Sequence, residues 1–568
     1  MTSLDGNSGT GPAKAPDESA VDFERQMTPE TTFQTAIVPP EIWLNVFAHL
    51  LPAELRATTL TCSLFRWLAQ PFLFCIIDVS PFFHGFNGER PILRPHKYLD
   101  RTVQRLEFYR SQHIAPAVQH CWISPYSRSG YPARNSRDDL DPDLIIEKVI
   151  EALPSFPNLC KLSWHCTDFT MKWWDAICKL PITTLWLNSC TIEGVDHWPL
   201  PIRHLDLDQW AWEGEVTNHV SIHEEHSPGV SQTVLPVILH SEHVRHISVP
   251  RADTCTHLLS TMSTMDLFTS LRVLRVPLSA MSSPCFVPAL IQCPVLEELR
   301  IFNPTDEAQR EITMDDLPFH ALPCLSTYEG PYTYLLLFGT GRPLRKALIW
   351  GLDGSHARCD PSRLLHILRR LSLFNPALEI LRMSVSYVPD ELLAVISSFC
   401  RLKSVEISSA DNFPTDHPVP ESPHQRPSTS PVTLLYITLR DIQFPAQLEN
   451  LRISTKLNHG NLDKPTQQAE ASRLIELMAR AHPKLRSVEI GYGTYWTGTY
   501  VVRWTRLVSS CNRSASTLGK LIFNEHRRTI VYPDAQRAVL ETDLGDVKVA
   551  RTGNYFVTWL RRLLYKRI

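Results

Sequence analysis

The chain lacks any run near the 18 or so uninterrupted apolar residues that a membrane-spanning helix needs. Its opening stretch, MTSLDGNSGTGPAKAPDESA, has no apolar signal core. Neither charge sign is in surplus: 56 Lys and Arg stand against 59 Asp and Glu, for a formal net charge of −3. That balance supplies neither a basic footprint for nucleic acid nor an acidic tail, so nucleic acid and membrane are not expected partners. The 14 cysteines never form Cys-x-x-Cys, which points to free thiols in a reducing intracellular compartment, cytoplasmic or nuclear. Walker loop, dinucleotide glycine fingerprint and G-x-S-x-G elbow are all missing, and Gly491-Tyr492-Gly493 reads as a loop after a strand. No catalytic residue, cofactor or metal is therefore expected.

What the chain does have is length and patterned apolar residues. At 568 residues it exceeds what one compact core usually serves, so several domains or a repeat array are expected. Residues 1–35, rich in Gly, Ser, Thr, Pro and charge, read as a disordered leader. Residues 36–80 follow as a small helical unit, with start signals at Pro39-Pro40-Glu41 and Pro52-Ala53-Glu54 and Thr61 placed to cap a third helix. At about 100° per residue the first helix sets Ile42, Val46 and Leu50 on one azimuth. Trp43, Phe47, Leu51 and Leu44 continue round from it, leaving only Glu41, Asn45 and His49 polar. That apolar arc is roughly twice the ~100° stripe that a single core requires. One face is left over for another domain or protein.

The series Val38-Pro39-Pro40-Glu41-Ile42, Val46-Phe47, Leu50, Leu55-Arg56, Cys62, Phe65-Arg66, Leu68-Ala69 and Pro71-Phe72-Leu73-Phe74 resembles the F-box. Val38 stands where that family usually has Leu, and Phe65 where it often has Trp. The resemblance implies docking on a Skp-type adaptor, and through it on a cullin–RING ubiquitin ligase. It assigns Val38, Pro39, Ile42, Phe47, Leu50 and Leu55 to adaptor contact. The alternative is that these residues are ordinary core of a helical N-terminal cap.

Beyond a connecting region, 81–150, an apolar triplet at positions i, i+3 and i+5 recurs across 151–555 as the strand core of a leucine-rich repeat. It occurs at Leu159-Leu162-Trp164, Ile182-Leu185-Leu187, Ile202-Leu205-Leu207, Val244-Ile247-Val249, Leu271-Leu274-Val276 and Leu296-Leu299-Ile301. It returns at Leu378-Leu381-Met383, Leu402-Val405-Ile407, Leu434-Ile437-Leu439, Leu448-Leu451-Ile453, Leu485-Val488-Ile490 and Leu518-Leu521-Phe523. The 325–350 region hides one or two more repeats without clear register. The expected fold is therefore α/β: a three-helix unit followed by a degenerate leucine-rich-repeat solenoid with a curved parallel sheet.

Residues between the second and third apolar positions point to the concave face. Their mixed polarity suits a protein substrate, with Trp186, Arg275, Arg300 and Arg382 as candidate anchors because Trp and Arg dominate binding hot spots. Residues 411–431, with six prolines, read as a disordered insertion, in which Ser422-Pro423 and Ser430-Pro431 are candidate phosphorylation sites. His223-Glu224-Glu225-His226 spaces its histidines at i, i+3, not the i, i+4 of a zinc protease, and reads as a polar loop. The basic amphipathic end, 556–568, suits a terminal helix over the last repeat, a membrane surface or an import receptor. Together these features give the adaptor subunit of a ubiquitin ligase, or alternatively a repeat scaffold without a ligase.

Overall fold

The computed structural model describes residues 38–83, 92–124, 140–165, 168–169, 171–188, 190–192, 201–207, 239–302, 317–351, 359–386, 388–409, 444–455, 478, 482, 484–494, 498–505 and 527–529. The expected leader 1–35, the insertion 411–431, the motif at His223 and His226, the end 556–568 and the triplets at Leu434 and Leu518 lie outside them. The chain divides into two units, Met1–Phe74 and Cys75–Ile568.

The first unit holds three short helices, α1 (Pro40–Phe47), α2 (Pro52–Thr59) and α3 (Ser63–Leu73). Proline at the first helical position of α1 and α2 costs no hydrogen bond there, and Glu41 and Glu54 favour the positive helix ends. The Glu54 carboxylate also accepts from Leu51 N at 2.9 Å. The third cap is Cys62, not Thr61: its Sγ accepts from Phe65 N at 3.4 Å. This bond gives a reason for a Cys three residues ahead of an aromatic. Phe47, Leu55, Phe65, Leu68 and Ala69 form the core of this unit, with Trp43 packed on Phe65 at 4.6 Å between ring centroids.

In the second unit fourteen parallel strands lie side by side in one sheet. The first four long ones are β1 (Ile76–Val79), β4 (His120–Ile123), β5 (Lys161–His165) and β7 (Thr184–Asn188). The short pairs β2 (Phe82–Phe83) with β3 (Ile92–Leu93), and β6 (Asp168–Phe169) with β8 (Thr191–Ile192), lie apart from the sheet. The sheet continues through β9 (His204–Leu207), β10 (His246–Ser248), β11 (Val273–Pro277), β12 (Glu298–Phe302) and β13 (Thr327–Pro331). Its last parallel members are β14 (Lys346–Trp350), β15 (Ile380–Val385), β16 (Ser404–Ser409), β17 (Asn450–Thr455) and β18 (Ser487–Thr494). Two antiparallel strands, β19 (Gly498–Thr505) and β20 (Arg527–Thr529), close the far end. Gly491-Tyr492-Gly493 thus lies inside β18 and not in a loop.

Parallel neighbours in chain order require a crossover between them, which helices supply at several of the described connections. Two of them begin with the same Asp-Pro device. Asp141 accepts from Asp143 N at 3.1 Å to cap α5 (Pro142–Ala152), and Asp360 accepts from Ser362 N at 2.9 Å to cap the helix Pro361–Phe374. Leu364, Leu368 and Leu371 of the latter are buried at helical spacing, matching the buried strand positions. Strand-by-strand stacking of this kind is a leucine-rich-repeat-like solenoid.

The sheet extends past the repeat limits expected from sequence. Residues 76–79 are strand β1 and not the tail of the helical unit, and the connecting region 81–150 contains β4. At the β1 edge, outward carbonyls would be left open. Arg105, from α4 (Lys97–Tyr109), donates to Asp78 O at 3.0 Å. The 325–350 region resolves into β13 and β14. In β13 the large residue is Tyr328 and the third triplet position is Gly330, whose missing side chain leaves room for the Tyr328 ring. The Tyr328 hydroxyl donates to Pro331 O at 2.9 Å, and its partner across the ladder is the small Ala347.

Candidate ligand-binding face

Alternation along each strand sends the triplet side chains into the core and their intermediates to the opposite, open face. Backbone register aligns one open-face residue per strand into a row: Asp78, Trp122, Ser163, Trp186, Asp206, Ser248 and Arg275. The row runs on through Arg300, Glu329, Leu348, Arg382, Glu406, Arg452 and Glu489. All four anchors expected from sequence, Trp186, Arg275, Arg300 and Arg382, fall on it.

The row has two dissimilar halves. From β11 onward its charges neutralise one another. Arg300 lies 2.5 Å from Glu298 and 3.3 Å from Glu329, while Arg275 stands 3.7 Å from Glu298. Arg382 meets Glu406 at 3.4 Å, and Arg452 bridges Glu406 at 3.2 Å and Glu489 at 3.0 Å. Of the expected anchors, these arginines are therefore already engaged by the sheet's own carboxylates.

From β4 to β10 the face is aromatic and imidazole-rich. Trp122 stacks on His165 at 4.6 Å with 9° between planes, and Lys161 Nζ sits 3.2 Å above the Trp186 ring. Trp186 also meets Trp122 edge-on at 6.4 Å, and its Nε1 is buried without a hydrogen-bond partner among the described residues. His120 Nε2 contacts Ser163 Oγ at 2.8 Å. Burial, then the Lys161 charge, pushes the His120 pKa down to about 4. His246 falls to about 3, first by burial and then by Arg275, with its Nε2 3.7 Å from Asp206. At neutral pH both imidazoles are uncharged, so the His246–Asp206 approach is not an ion pair. Burial lowers Lys161 and raises Asp206 from their ordinary values.

Sequence reasoning missed Trp122, His120 and His165: the first two stand on a strand whose triplet, Val118-Cys121-Ile123, has Cys at its middle position. Cys190 is buried and donates to Trp164 O at 3.3 Å, joining one repeat to the one before. Among the described residues no group of three or more His, Cys, Asp or Glu is arranged to hold a metal ion, and no helix is long and apolar enough to cross a membrane.

On the helical unit, the residues assigned to adaptor contact separate into two kinds. Phe47 and Leu55 are 2% and 4% exposed and belong to its core, because they fall on the azimuth where the three helices meet. Pro39 and Ile42 are exposed, and Val38 and Leu50 half-buried. The leftover apolar side chains are Ile42, Leu51, Leu60 and Trp67.

No protein-family model matches the chain, and no curated protein matches it. Among solved structures it is similar to the crystal structure of a TLR13–ssRNA13 complex, at 12% identity and a TM-score of 0.29, over 66% of this chain and 57% of that one. It is also similar to a Bacteroides fragilis protein, at 10% identity and a TM-score of 0.17, over 67% and 70% of the two chains. The chain thus spans little more than half of the first structure's length. At such scores the likeness carries no argument, and the architecture rests on the strand pairing itself.

Proposed function

We propose that the chain is a two-ended intracellular adaptor, cytoplasmic or nuclear. Its helical unit docks as an F-box on a Skp-type adaptor of a cullin–RING ubiquitin ligase, and its solenoid holds a protein substrate on the open face. It catalyses nothing itself; it raises the local concentration of substrate lysines beside the ubiquitin carrier. The observation that supports the ligase end is the exposure of Ile42 at 51%, Leu51 at 66%, Leu60 at 80% and Trp67 at 66% on a unit whose own core is complete. Such a set on so small a unit is a surface awaiting a partner.

Co-purification with a Skp-type adaptor tests it, using Ile42→Glu and Leu51→Glu. Both side chains are exposed, so the substitutions spare the fold, whereas Phe47→Ala would remove a core residue. Capture by the unaltered chain and loss in both variants is expected. Absence of capture, or capture indifferent to both, would leave the less specific reading, a leucine-rich-repeat-like protein-interaction scaffold without a ligase.

A further inference from the structure

The turns that lead into β11 to β15 make up one edge of the solenoid, and each is bonded to the next. Phe268 N, ahead of β11, donates to Gln292 O ahead of β12 at 2.7 Å, and Ser326 N, ahead of β13, donates to Glu297 O at 2.9 Å. Arg342, ahead of β14, donates back to Ala321 O and Pro318 O. Asn375 Nδ2, ahead of β15, donates to Arg342 O at 3.0 Å and Gly339 O at 3.4 Å. On this edge stand five exposed apolar side chains, Leu267, Ile291, Phe319, Leu373 and Phe374. Phe319 is 73% and Leu373 80% exposed. The backbone around Phe319 is held in place at a cost. Leu322 has φ 57°, a left-handed conformation that a bulky side chain resists, and Gly341 has φ 73°. The Phe319 ring lies so close over Gly341 that a Cβ there would run into its Cε2 and Cζ. A strained turn and a buried arginine thus fix a ring that is mostly exposed.

We propose that this edge docks an amphipathic helix of a protein partner, laid along the turns from β11 to β15. Its apolar side meets Leu267, Ile291, Phe319, Leu373 and Phe374, and its flanking carboxylates meet Arg369 and Arg370. The edge belongs neither to the open-face row nor to the helical unit, so it stands or falls apart from the adaptor reading. Spacing selects a helix. Neighbouring strands recur about every 4.8 Å, and an amphipathic helix presents an apolar residue about once per 5.4 Å turn. One helical turn therefore meets one repeat. An extended segment presents residues on one side about every 6.7 Å, out of step with the repeats. Charge selects the flank. Arg370 and Arg369 lie three and four positions before Leu373, on the same side of the helix Pro361–Phe374. Both are exposed and form no ion pair among the described residues. The exposed side of that helix, Ser362, Arg363, His366, Arg369, Arg370 and Leu373, carries no acid. On the next helix, Asp390–Ile396, the acids Asp390 and Glu391 lie in the first turn, whereas Arg369 and Arg370 lie near the end of theirs.

The full chain is titrated, by fluorescence anisotropy, into a labelled fifteen-residue peptide with Leu at every third or fourth position and Glu beside it. Two comparators are the same composition with Leu scrambled off the helical period, and the same pattern with Lys in place of Glu. The Leu/Glu helix is expected to bind at least about tenfold tighter than either. Phe319→Ala with Leu373→Ala is expected to weaken it about tenfold or more. Leu144→Ala, which trims an exposed apolar side chain off this edge, should cost less than twofold. Arg369→Glu with Arg370→Glu should cost about threefold or more, and less as salt rises. Every substituted side chain is exposed, so the substitutions spare the fold. Absence of binding, equal binding of either comparator, or a Phe319/Leu373 variant no weaker than Leu144→Ala would overturn the inference. So would dimerisation of the chain, or its sedimentation with phosphatidylserine vesicles, abolished by Phe319→Ala with Leu373→Ala: the first makes the occupant a second copy and the second a membrane.

Discussion

Gly330→Ala is a one-carbon change with a calculable consequence. A Cβ at that position would lie 2.6 Å from the Tyr328 hydroxyl oxygen, 2.9 Å from its Cζ and 3.2 Å from Ile301 Cβ. The ring has little freedom to yield: it is fully buried, stacked on Phe338 at 5.2 Å, and its hydroxyl donates to Pro331 O. Overpacking a close-packed core costs about 1–3 kcal/mol. Displacing the buried hydroxyl from its acceptor adds about 1 kcal/mol, so a loss of about 2–4 kcal/mol is expected. In a Tyr328→Leu background the two closest contacts are gone and only Ile301 Cβ at 3.2 Å remains, so the same Gly330→Ala step should cost less than about 1 kcal/mol, a coupling of about 2 kcal/mol. The assay is urea denaturation by far-ultraviolet circular dichroism, paired with native-state hydrogen exchange at β13 and β14. Repeat arrays open locally, so the exchange measurement reports the affected repeats directly. A Gly330→Ala protein within 0.5 kcal/mol of the parent, or a cost unchanged by Tyr328→Leu, would refute the exchange of volume between the two positions.

Arg342 is buried and its guanidinium donates to the carbonyls of Ala321, Leu337, Thr340 and Pro318, so Arg342→Ala should lower stability by about 3–5 kcal/mol. Arg342→Lys should recover less than half of that in the same denaturation assay, because a point ammonium cannot span the fork. His120 and His246 have folded-state pKa values of about 4 and 3, below the ordinary 6.5. Their neutral forms favour folding above pH 6.5, and that contribution is lost as pH falls from there toward their folded values, because the unfolded chain takes up the protons first. The urea midpoint should fall between pH 7.5 and 5 and fall less in His120→Gln/His246→Gln; a flat parent profile contradicts this. Burial raises the thiols of Cys121, Cys255, Cys293 and Cys359 well above their ordinary values, whereas Cys160, Cys324 and Cys400 are exposed. Maleimide labelling of native protein, read by peptide mass mapping, should modify the exposed three and spare the buried four until denaturant is added.

The triplet frame in the sequence located ten of the strands because Leu, Ile and Val at its positions say directly that they are buried. The strands it missed obey the same spacing with other residues. In β4 the buried positions are Val118, Cys121 and Ile123, and in β14 they are Leu344, Ala347 and Ile349. In β13 a Tyr and a Gly divide between them the volume that two aliphatic side chains usually fill. What sequence reports is hydrophobicity position by position, and what the sheet requires is summed volume shared between neighbours. That sharing is invisible until the ladder partners are known. The adaptor-contact set failed in part for a related reason. An apolar arc shows that a helix has two faces, but the choice of Phe47 and Leu55 for the inner one depends on where α2 and α3 cross it.

The anchors named from residue type divide by the same logic. Arg and Trp dominate interfaces when they are desolvated by a partner and have nothing better to bind. Arg300 and Arg382 already have carboxylates on neighbouring strands, so a ligand acid at either position replaces one ion pair with another. Exposed pairs of this kind differ by about 0–1 kcal/mol. Trp186 has no such internal claim on its Nε1, while the Lys161 charge above its ring is set against the Asp206 carboxylate two strands away. On the proposed reading of the open face as the ligand surface, a ligand would gain most where the sheet leaves groups unmatched, on β4 to β10. The alternating ladder on later strands ties each repeat to the next, and on the same reading it would repel ligands of the wrong charge order.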